Sequence, residues 1–135
     1  MPAEDPVLAM LATDRASRAL GIELVDHGLG RAHVRMVVGE NMVNGHGSAH
    51  GGVIFSLADT AFACACNSWG PVVVAAGADI VFVAAARLGD RLDAHALMRT
   101  KYGRYGIYDV AVLRAGDTIA EFRGRSYQLG DRPGR

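Results

Sequence analysis

The chain has 135 residues and a mass of 14.3 kDa, the size of one domain and too small for two well-packed cores. Half of the residues are hydrophobic and 21% are charged, a globular composition that excludes a wholly disordered chain. Lys and Arg together number 14, as do Asp and Glu, so no bulk positive charge favours nucleic-acid binding. A neutral chain also meets little electrostatic repulsion from its own copies.

Cysteine usage and hydropathy predict the compartment. Cys64 and Cys66 lie two residues apart in an apolar run, and in a helix their side chains would point in different directions. We therefore expect two buried free thiols in a reducing cytosol. The sequence shows no signal-peptide pattern and no uncharged stretch of about 18 residues, so we expect a soluble cytoplasmic protein that does not span a membrane.

The first half of the chain predicts a helix, a hairpin and a loop. A helix over about residues 1–20 is indicated by Asp5 as N-cap, Pro6 in the first turn and Gly21 at the end. Residues 22–25 and 31–38 flank a glycine-containing turn and predict a β-hairpin with one face in solvent. Residues 41–52 contain four glycines, which indicates a long loop of the kind that often carries function.

The second half predicts a buried helix followed by strands. Residues 53–69 are hydrophobic nearly all round, which favours a helix covered on every side. Strand-like runs follow at 72–83, 92–101, 105–113 and 118–128, with a flexible tail over about residues 129–135. This order of elements predicts one α+β domain over residues 1–135. An antiparallel sheet wrapped around the apolar helix would explain why that helix has no solvent-exposed polar face.

The residues that suggest chemistry surround the start of this helix. Gly51 and Gly52 leave N–H groups free at the positive end of the helix dipole, where they would polarise an acyl carbonyl. Asp59 is the only carboxylate of the helix, and burying it unpaired would cost on the order of several kcal/mol. We therefore expect it to face a polar partner or a substrate pocket. Phe55 and Phe62 share its helical face and would wall an apolar or aromatic acyl group.

Structural roles are the alternative interpretation of the same residues. A single carboxylate within a helix more often makes a structural hydrogen bond, and His50 alone is typical of a structural histidine. His46 and His50 have the spacing of a zinc pair, but the intervening glycines and the burial expected for the cysteines disfavour a metal site. The sequence contains no G-x-S-x-G elbow, Walker loop or G-x-G-x-x-G loop.

Taken together, Asn44-Gly45, the run HGGVIFSLADTAF from His50 to Phe62 and Ala65-Cys66-Asn67-Ser68 resemble the signature of the hotdog-fold thioesterases. The resemblance is strongest to the phenylacetic acid degradation (PaaI-type) branch and extends from about residue 21 to about residue 128. It implies a hotdog fold, with a single antiparallel sheet wrapped around a long central helix. It also implies pairing with a second copy, so that the active sites lie at the subunit interface, and commonly a homotetramer that is a dimer of dimers.

The resemblance implies hydrolysis of acyl-coenzyme A thioesters, with phenylacetyl-CoA and its ring-hydroxylated relatives favoured in this branch. Asp59 matches the carboxylate that attacks the thioester carbonyl or activates water, and Gly51 matches the residue whose N–H polarises that carbonyl. His50 and Asn44 match polar residues that orient the site. No metal or redox cofactor is implied, since coenzyme A is part of the substrate. The residues expected to contact substrate are Gly52, Phe55, Thr60 and Phe62, Thr60 being the weaker candidate.

One segment departs from the family pattern. Relatives often carry an Arg-Pro pair where this chain has Ala84-Ala85, near the coenzyme A path, so Arg87 or another arginine is the candidate for contacting the nucleotide end. Two other functions remain open, a hotdog enoyl-CoA hydratase and a non-catalytic acyl-CoA sensor. Hydratases tend to arrange the acid and the histidine differently, and the presence of both His50 and Asp59 disfavours a sensor.

Overall fold

Six antiparallel strands and three α-helices make up residues 4–130, the part of the chain that this computed structural model describes. The helices are α1 (Pro6–Ala12), α2 (Arg15–Ala19) and α3 (Gly51–Cys66). The strands are β1 (Glu23–Gly28), β2 (Arg31–Val37), β3 (Val73–Phe82), β4 (Arg91–Tyr102), β5 (Tyr105–Arg114) and β6 (Asp117–Gln128). None of these three helices is long and apolar enough to cross a membrane.

The strands form one sheet in the order β1-β2-β4-β5-β6-β3, with every neighbouring pair antiparallel. Tight turns join β1 to β2, β4 to β5 and β5 to β6, and Gly30, Gly103 and Gly116 supply the positive φ angles that these turns need. The predicted hairpin and the α+β class are confirmed. Strand β3 pairs only with β6 within the described chain, so its other edge carries unpaired backbone groups.

Helix α3 is packed on the inner face of this sheet. Alternate residues of β2, β4 and β5 are buried against the helix, among them Val34, Ala94 and Val110. The helix meets them largely with small side chains, which let the two backbones approach closely. The burial predicted for this helix is confirmed, and it explains the near-absence of charge in its sequence.

The prediction of a single N-terminal helix is wrong, because two short helices, α1 and α2, occupy this part of the chain. Thr13 ends α1, and the side chain of Asp14 caps α2 by accepting a hydrogen bond from Ser17 N at 2.9 Å. An aspartate that bonds a nearby backbone N–H competes with continuation of a helix and starts a new one. Residues 1–3 and 131–135, which include the start of the predicted helix and most of the predicted tail, lie outside the described residues.

The boundaries of α3 are set by polar side chains at both ends. His50 caps the first turn, so the helix begins two residues before the predicted start at Val53. At the other end, the Asn67 side chain donates to Ala63 O and accepts from Val73 N, which stops the helix at Cys66 rather than Trp69. These caps join the helix directly to the loop before it and to the strand after it.

Both cysteines are buried and form no disulfide, as the sequence predicts. Burial raises the pKa of each thiol to about 12. Because the thiolate is the reactive form of cysteine, neither side chain can serve as a nucleophile near neutral pH. Chemistry at α3 therefore falls to its backbone and to its carboxylate.

Candidate active site

The start of α3 exposes a backbone donor without a protein acceptor. His50 O accepts from Val53 N and Ile54 N, and His50 Nδ1 accepts from Gly52 N at 2.9 Å. Within residues 4–130 no acceptor bonds the Gly51 N–H. This amide therefore lies at the positive end of a 16-residue helix with its hydrogen available to a ligand oxygen.

The His50 ring takes part in this arrangement from the helix cap. Since Nδ1 accepts a hydrogen bond from Gly52, the neutral ring carries its proton on Nε2. The side chain is exposed, so Nε2–H is available as a donor beside the free Gly51 amide. His46 lies in the same loop, but no group of three metal-ligating side chains occurs among residues 4–130.

Asn44 shapes the loop that leads into the helix. Its Oδ1 accepts from His46 N at 2.9 Å and Ser48 N at 3.1 Å, and its own N–H donates to Ser48 O at 2.7 Å. A further bond from His50 N to Met42 O anchors the end of the loop. These contacts give the predicted loop a defined conformation and hold the helix start in place.

Asp59 is half-buried two turns into α3 and makes no hydrogen bond or ion pair with any residue in the described range. Burial, together with the negative charge of Asp14, raises the pKa of this carboxyl above its ordinary value. The polar protein partner that the sequence allowed for is thus absent from residues 4–130. A carboxylate left unpaired at such a position is typical of a group reserved for a ligand.

A cavity of about 420 Å³ opens beside the free Gly51 amide. A methyl group at Gly51 would lie 3.1 Å from Cζ of Phe82, a tight contact that a small shift of this ring would relieve. The cavity is mainly apolar and suits an acyl group. Its lining residues are Ser48, Ala49, Gly51, Ile54, Phe82, Val83, Ala84 and Ala85.

The cavity does not include Asp59. Eight residues separate Gly51 from Asp59, and at the rise of an α-helix they lie about 12 Å apart along the axis. One protomer therefore holds the free amide and the carboxylate at different places on its surface, too far apart to contact one carbonyl group. This separation follows from the helical rise once both residues lie on one helix.

The four predicted substrate contacts have different surroundings. Phe62 is 1% exposed, packs against Tyr108, Phe122 and Gly124 in the core and does not line the cavity beside Gly51, so its contact with an acyl group stays a prediction. Phe55 is half-buried against Phe122. Gly52 is exposed with its N–H bonded to His50, and Thr60 is buried with its hydroxyl bonded to Ser17 and Ser56.

Phe82 and Ile54 line the cavity although no sequence motif indicates them. Phe82 ends a strand that crosses the helix start only in the folded chain, so its own neighbourhood in sequence carries no signal. Ala84 and Ala85, singled out as a departure from the family, do line the cavity. Arg87 lies next to it, because its Nη1 donates to Ser48 Oγ at 3.0 Å.

We expect Asp59→Asn to raise the free energy of unfolding at pH 7. A raised pKa in the folded state means that this carboxyl favours folding below its unfolded pKa and loses that contribution as pH rises through its folded pKa. The asparagine amide is neutral at every pH, so the variant does not lose this contribution. Its excess in free energy of unfolding over wild type therefore shrinks as pH falls toward 4. Urea unfolding at one fixed protein concentration measures the difference.

Asp109→Asn is the matched control of opposite sign. Arg123 binds both oxygens of Asp109, at 2.6 and 2.9 Å, and lowers the pKa of that carboxyl. This variant should lose stability at pH 7 and recover it relative to wild type in acid. A destabilised Asp59→Asn protein at pH 7 would show that the Asp59 carboxylate has a stabilising partner.

Comparison with known proteins identifies the family. Residues 46–121 match the model of the thioesterase superfamily. Acyl-coenzyme A thioesterase PaaI of Escherichia coli K12 is 44% identical over 123 residues, covering 90% of this chain and 88% of that protein. The solved structure of the E. coli PaaI protein from the phenylacetic acid degradation operon has a TM-score of 0.91 and 42% identity, covering 94% of this chain and 93% of that chain.

A solved structure of a Streptococcus mutans UA159 protein bound to acetyl-CoA has a TM-score of 0.79 and 25% identity, covering 82% of this chain and 90% of that one. The six-stranded sheet around one long helix is the architecture that these relatives share with this chain. The chain has the hotdog fold and belongs to the thioesterase superfamily, in its PaaI-type branch of thioester hydrolases.

Proposed function

We propose that this protein hydrolyses acyl-CoA thioesters with an aromatic acyl group, phenylacetyl-CoA and its ring-hydroxylated relatives, to the free acid and coenzyme A. The observation that carries this proposal is the Gly51 N–H, which lies at a helix start beside an apolar cavity and has no acceptor among residues 4–130. Phe82 provides an aromatic surface there. The comparison with E. coli PaaI, an acyl-CoA thioesterase, and with the acetyl-CoA-bound S. mutans protein supports the same substrate class.

In the proposed reaction the thioester carbonyl oxygen accepts a hydrogen bond from Gly51 N–H and gains negative charge as the acyl carbon is attacked. The amide and the helix dipole stabilise that charge without reorganisation. If Asp59 attacks the acyl carbon, the C–S bond breaks to give an acyl-Asp59 anhydride, which water then hydrolyses to the free acid while the coenzyme A thiolate takes a proton from that water. If Asp59 instead removes a proton from the attacking water, the C–S bond breaks directly and that proton passes from Asp59 to the leaving thiolate. Asn44 and His50 hold the loop and the helix start in place.

The reaction as proposed needs no metal or redox cofactor, because a backbone donor and one carboxylate supply its chemistry. We place it in the cytoplasm, where reducing conditions keep the thiols of Cys64 and Cys66 free. The nucleotide end of coenzyme A lacks the usual Arg-Pro contact. We propose that Arg87 and Arg114 contact this end of coenzyme A instead. Arg87 donates to Ser48 and Arg114 donates to the Ala85 carbonyl, and both Ser48 and Ala85 line the cavity.

We further propose that the catalytic unit is a homodimer, with Gly51 from one copy and Asp59 from the other. Two α3 helices that cross antiparallel near Phe55, about a twofold axis, bring these residues together despite their separation of about 12 Å within one chain. The unpaired edge of β3 supports this pairing, because Val81, Phe82 and Val83 are 63%, 51% and 60% exposed there. Two such dimers would form the tetramer.

Gly51→Pro tests the polarising amide. Proline is favoured at the first residue of a helix, and His50 already has the extended backbone, ψ 136°, that a residue before proline needs. Because the substitution removes the N–H, we expect kcat on phenylacetyl-CoA to fall about 10²–10³-fold in a thiol-release assay. Gly51→Ala is the matched control, since it keeps the N–H and adds a similar carbon next to Phe82. Equal losses in the two variants would exclude the proposed role.

Mixing two inactive variants tests the shared site. Gly51→Pro and Asp59→Asn proteins are unfolded together and refolded at equal concentrations. About half of the dimers are then mixed, and each has one intact site, so we expect roughly a quarter of wild-type turnover. Asp59→Asn mixed with the double variant is the control that contains no intact pair. Absence of any recovery would place both residues of a site in one chain, and an active Asp59→Asn protein would remove Asp59 from the mechanism.

A panel of acyl-CoA substrates ranked by kcat/KM tests the acyl group. We expect arylacetyl thioesters to rank above long-chain aliphatic ones, because the cavity beside Gly51 is about 420 Å³ and contains an aromatic ring. A preference for long aliphatic chains would contradict the substrate assignment and leave the reaction type intact. Loss of the conjugated absorbance of an enoyl-CoA would instead indicate a hydratase, and binding without turnover of any substrate would indicate a sensor.

A further inference from the structure

A buried chain of hydrogen bonds joins α2 to α3 next to Asp59. Ser17 Oγ lies 2.7 Å from Asp14 Oδ2 and 2.9 Å from Thr60 Oγ1, and Thr60 Oγ1 lies 2.9 Å from Ser56 O. Ser17 is 6% exposed and Thr60 is 8% exposed, so the contact between the two hydroxyls is buried, while Asp14 is half-buried. Thr60 adjoins Asp59 in sequence, and Ser56 lies one turn before it. This series of hydrogen bonds therefore ends at Thr60 and Ser56, which follow and precede Asp59 in α3.

The polarity of this chain depends on the charge of Asp14. Its three contacts share only two hydroxyl protons, those of Ser17 and Thr60. When Asp14 is ionised, Ser17 donates to it, so the single Thr60 hydroxyl proton is shared between the Ser56 carbonyl oxygen and Ser17 Oγ, each 2.9 Å away. A neutral donor at position 14 would free Ser17 to donate to Thr60, which leaves the Thr60 proton to Ser56 O alone. Asp14 thus determines how the Thr60 hydroxyl is oriented beside Asp59.

Asp14 is also the charged group that acts most directly on Asp59. The charge of Asp14 contributes to raising the pKa of both Asp59 and Cys64, which shows that its field reaches α3. On α2, the Arg18 side chain donates to Ala12 O, and Arg15 is exposed. On α1, Asp5 is paired with His27.

The sheet places its charged groups on the opposite face from α3. His33, Arg35 and Asp93 form a cluster there, and Asp109 pairs with Arg123, while alternate residues of the same strands face the helix. The titratable side chain on the inner face of β5 is Tyr108, whose hydroxyl accepts from Trp69 Nε1. Within α3 the remaining titratable groups are the two neutral thiols. No cation within residues 4–130 offsets the charge of Asp14 at Asp59.

We propose that Asp14 is a positioning residue for thioester hydrolysis, acting on the Asp59 carboxylate through the buried Asp14–Ser17–Thr60 chain and through its negative charge. The inference rests on the catalytic role proposed above for Asp59. The chain fixes the turn of α3 that carries the carboxylate, and the neighbouring charge makes that carboxylate a stronger base. Helix α2 and its cap are then part of the catalytic apparatus, although Asp14 and Ser17 do not touch substrate.

The decisive measurement is the pH profile of kcat/KM for phenylacetyl-CoA with Asp14→Asn in the 135-residue chain. Asparagine is as good an N-cap as aspartate, so α2 is retained while the charge is removed and the Ser17 hydroxyl is freed to donate to Thr60. We expect the acidic limb of the profile to move to lower pH, because Asp59 no longer faces a negative charge. Asp5→Asn, the same change at the cap of α1, is the control and should leave the limb unmoved.

A second pair of variants tests the hydroxyl chain itself. Thr60→Val keeps the shape of the side chain and removes the hydroxyl that bonds Ser17 and Ser56. We expect kcat to fall roughly tenfold with little change in KM, because the carboxylate is no longer held in its reactive position. Thr60→Ser restores the hydroxyl and should restore most of kcat. Equal rates in Thr60→Val and Thr60→Ser would show that the hydroxyl has no catalytic consequence.

Asp59→Asn separates failure of this inference from failure of the proposed function. If Asp59→Asn is inactive but the acidic limbs of wild type, Asp14→Asn and Asp5→Asn coincide, Asp14 serves only as a helix cap and the inference is overturned. If Asp59→Asn keeps wild-type turnover, Asp59 is not the catalytic carboxylate and both proposals fall. A shift shared by Asp14→Asn and Asp5→Asn would reflect net charge alone and would also overturn the inference.

Discussion

Burial of α3 against the sheet is the constraint on which the rest of the molecule depends. A helix this apolar cannot remain stable in water, so one face of a six-stranded sheet covers it and the N-terminal helices lie beside it. The small residues of α3 let the strands approach closely, and Gly124 leaves room for the Phe62 ring. The strand order follows from this wrapping, which leaves β1 and β3 as the two edges of the sheet.

The same burial determines where the helix can meet a ligand. Within residues 4–130, almost all hydrogen-bonding groups of α3 have a partner. Two do not: the amide N–H of Gly51 at the helix start and the half-buried carboxylate of Asp59. A carbonyl-polarising donor and a base are what thioester hydrolysis requires. Because a straight helix holds them about 12 Å apart, the arrangement favours a site completed by a second copy across the exposed edge of β3.

An unpaired, half-buried carboxylate opposes folding, as the raised pKa of Asp59 indicates. The fold tolerates this free-energy cost because the surrounding core is extensive and the hydrogen bonds from Asp14 through Ser17 to Thr60 hold the turn of α3 that carries Asp59. Such local costs are typical of functional sites, where stability is given up for reactivity. Helix α2, at the edge of the fold, supplies the contacts to this turn.

Local patterns in the sequence determined the class of the fold: the apolar run of α3, the hairpin of β1 and β2, the four later strands, and the free buried thiols. Each of these depends on neighbouring residues, whose periodicity and turn chemistry can be read along the chain. The motif around His50 and Asp59 likewise sufficed to indicate the family.

Only the tertiary structure decided how distant segments meet. It broke the N-terminal helix at Asp14, placed Phe62 in the core, and brought Phe82 and Ala84 to the amide of Gly51. It also linked Asp14 to Thr60 across 46 positions of sequence through Ser17. These features arise from contacts between residues far apart in the chain, and the energies of such contacts depend on packing geometry that no local pattern records.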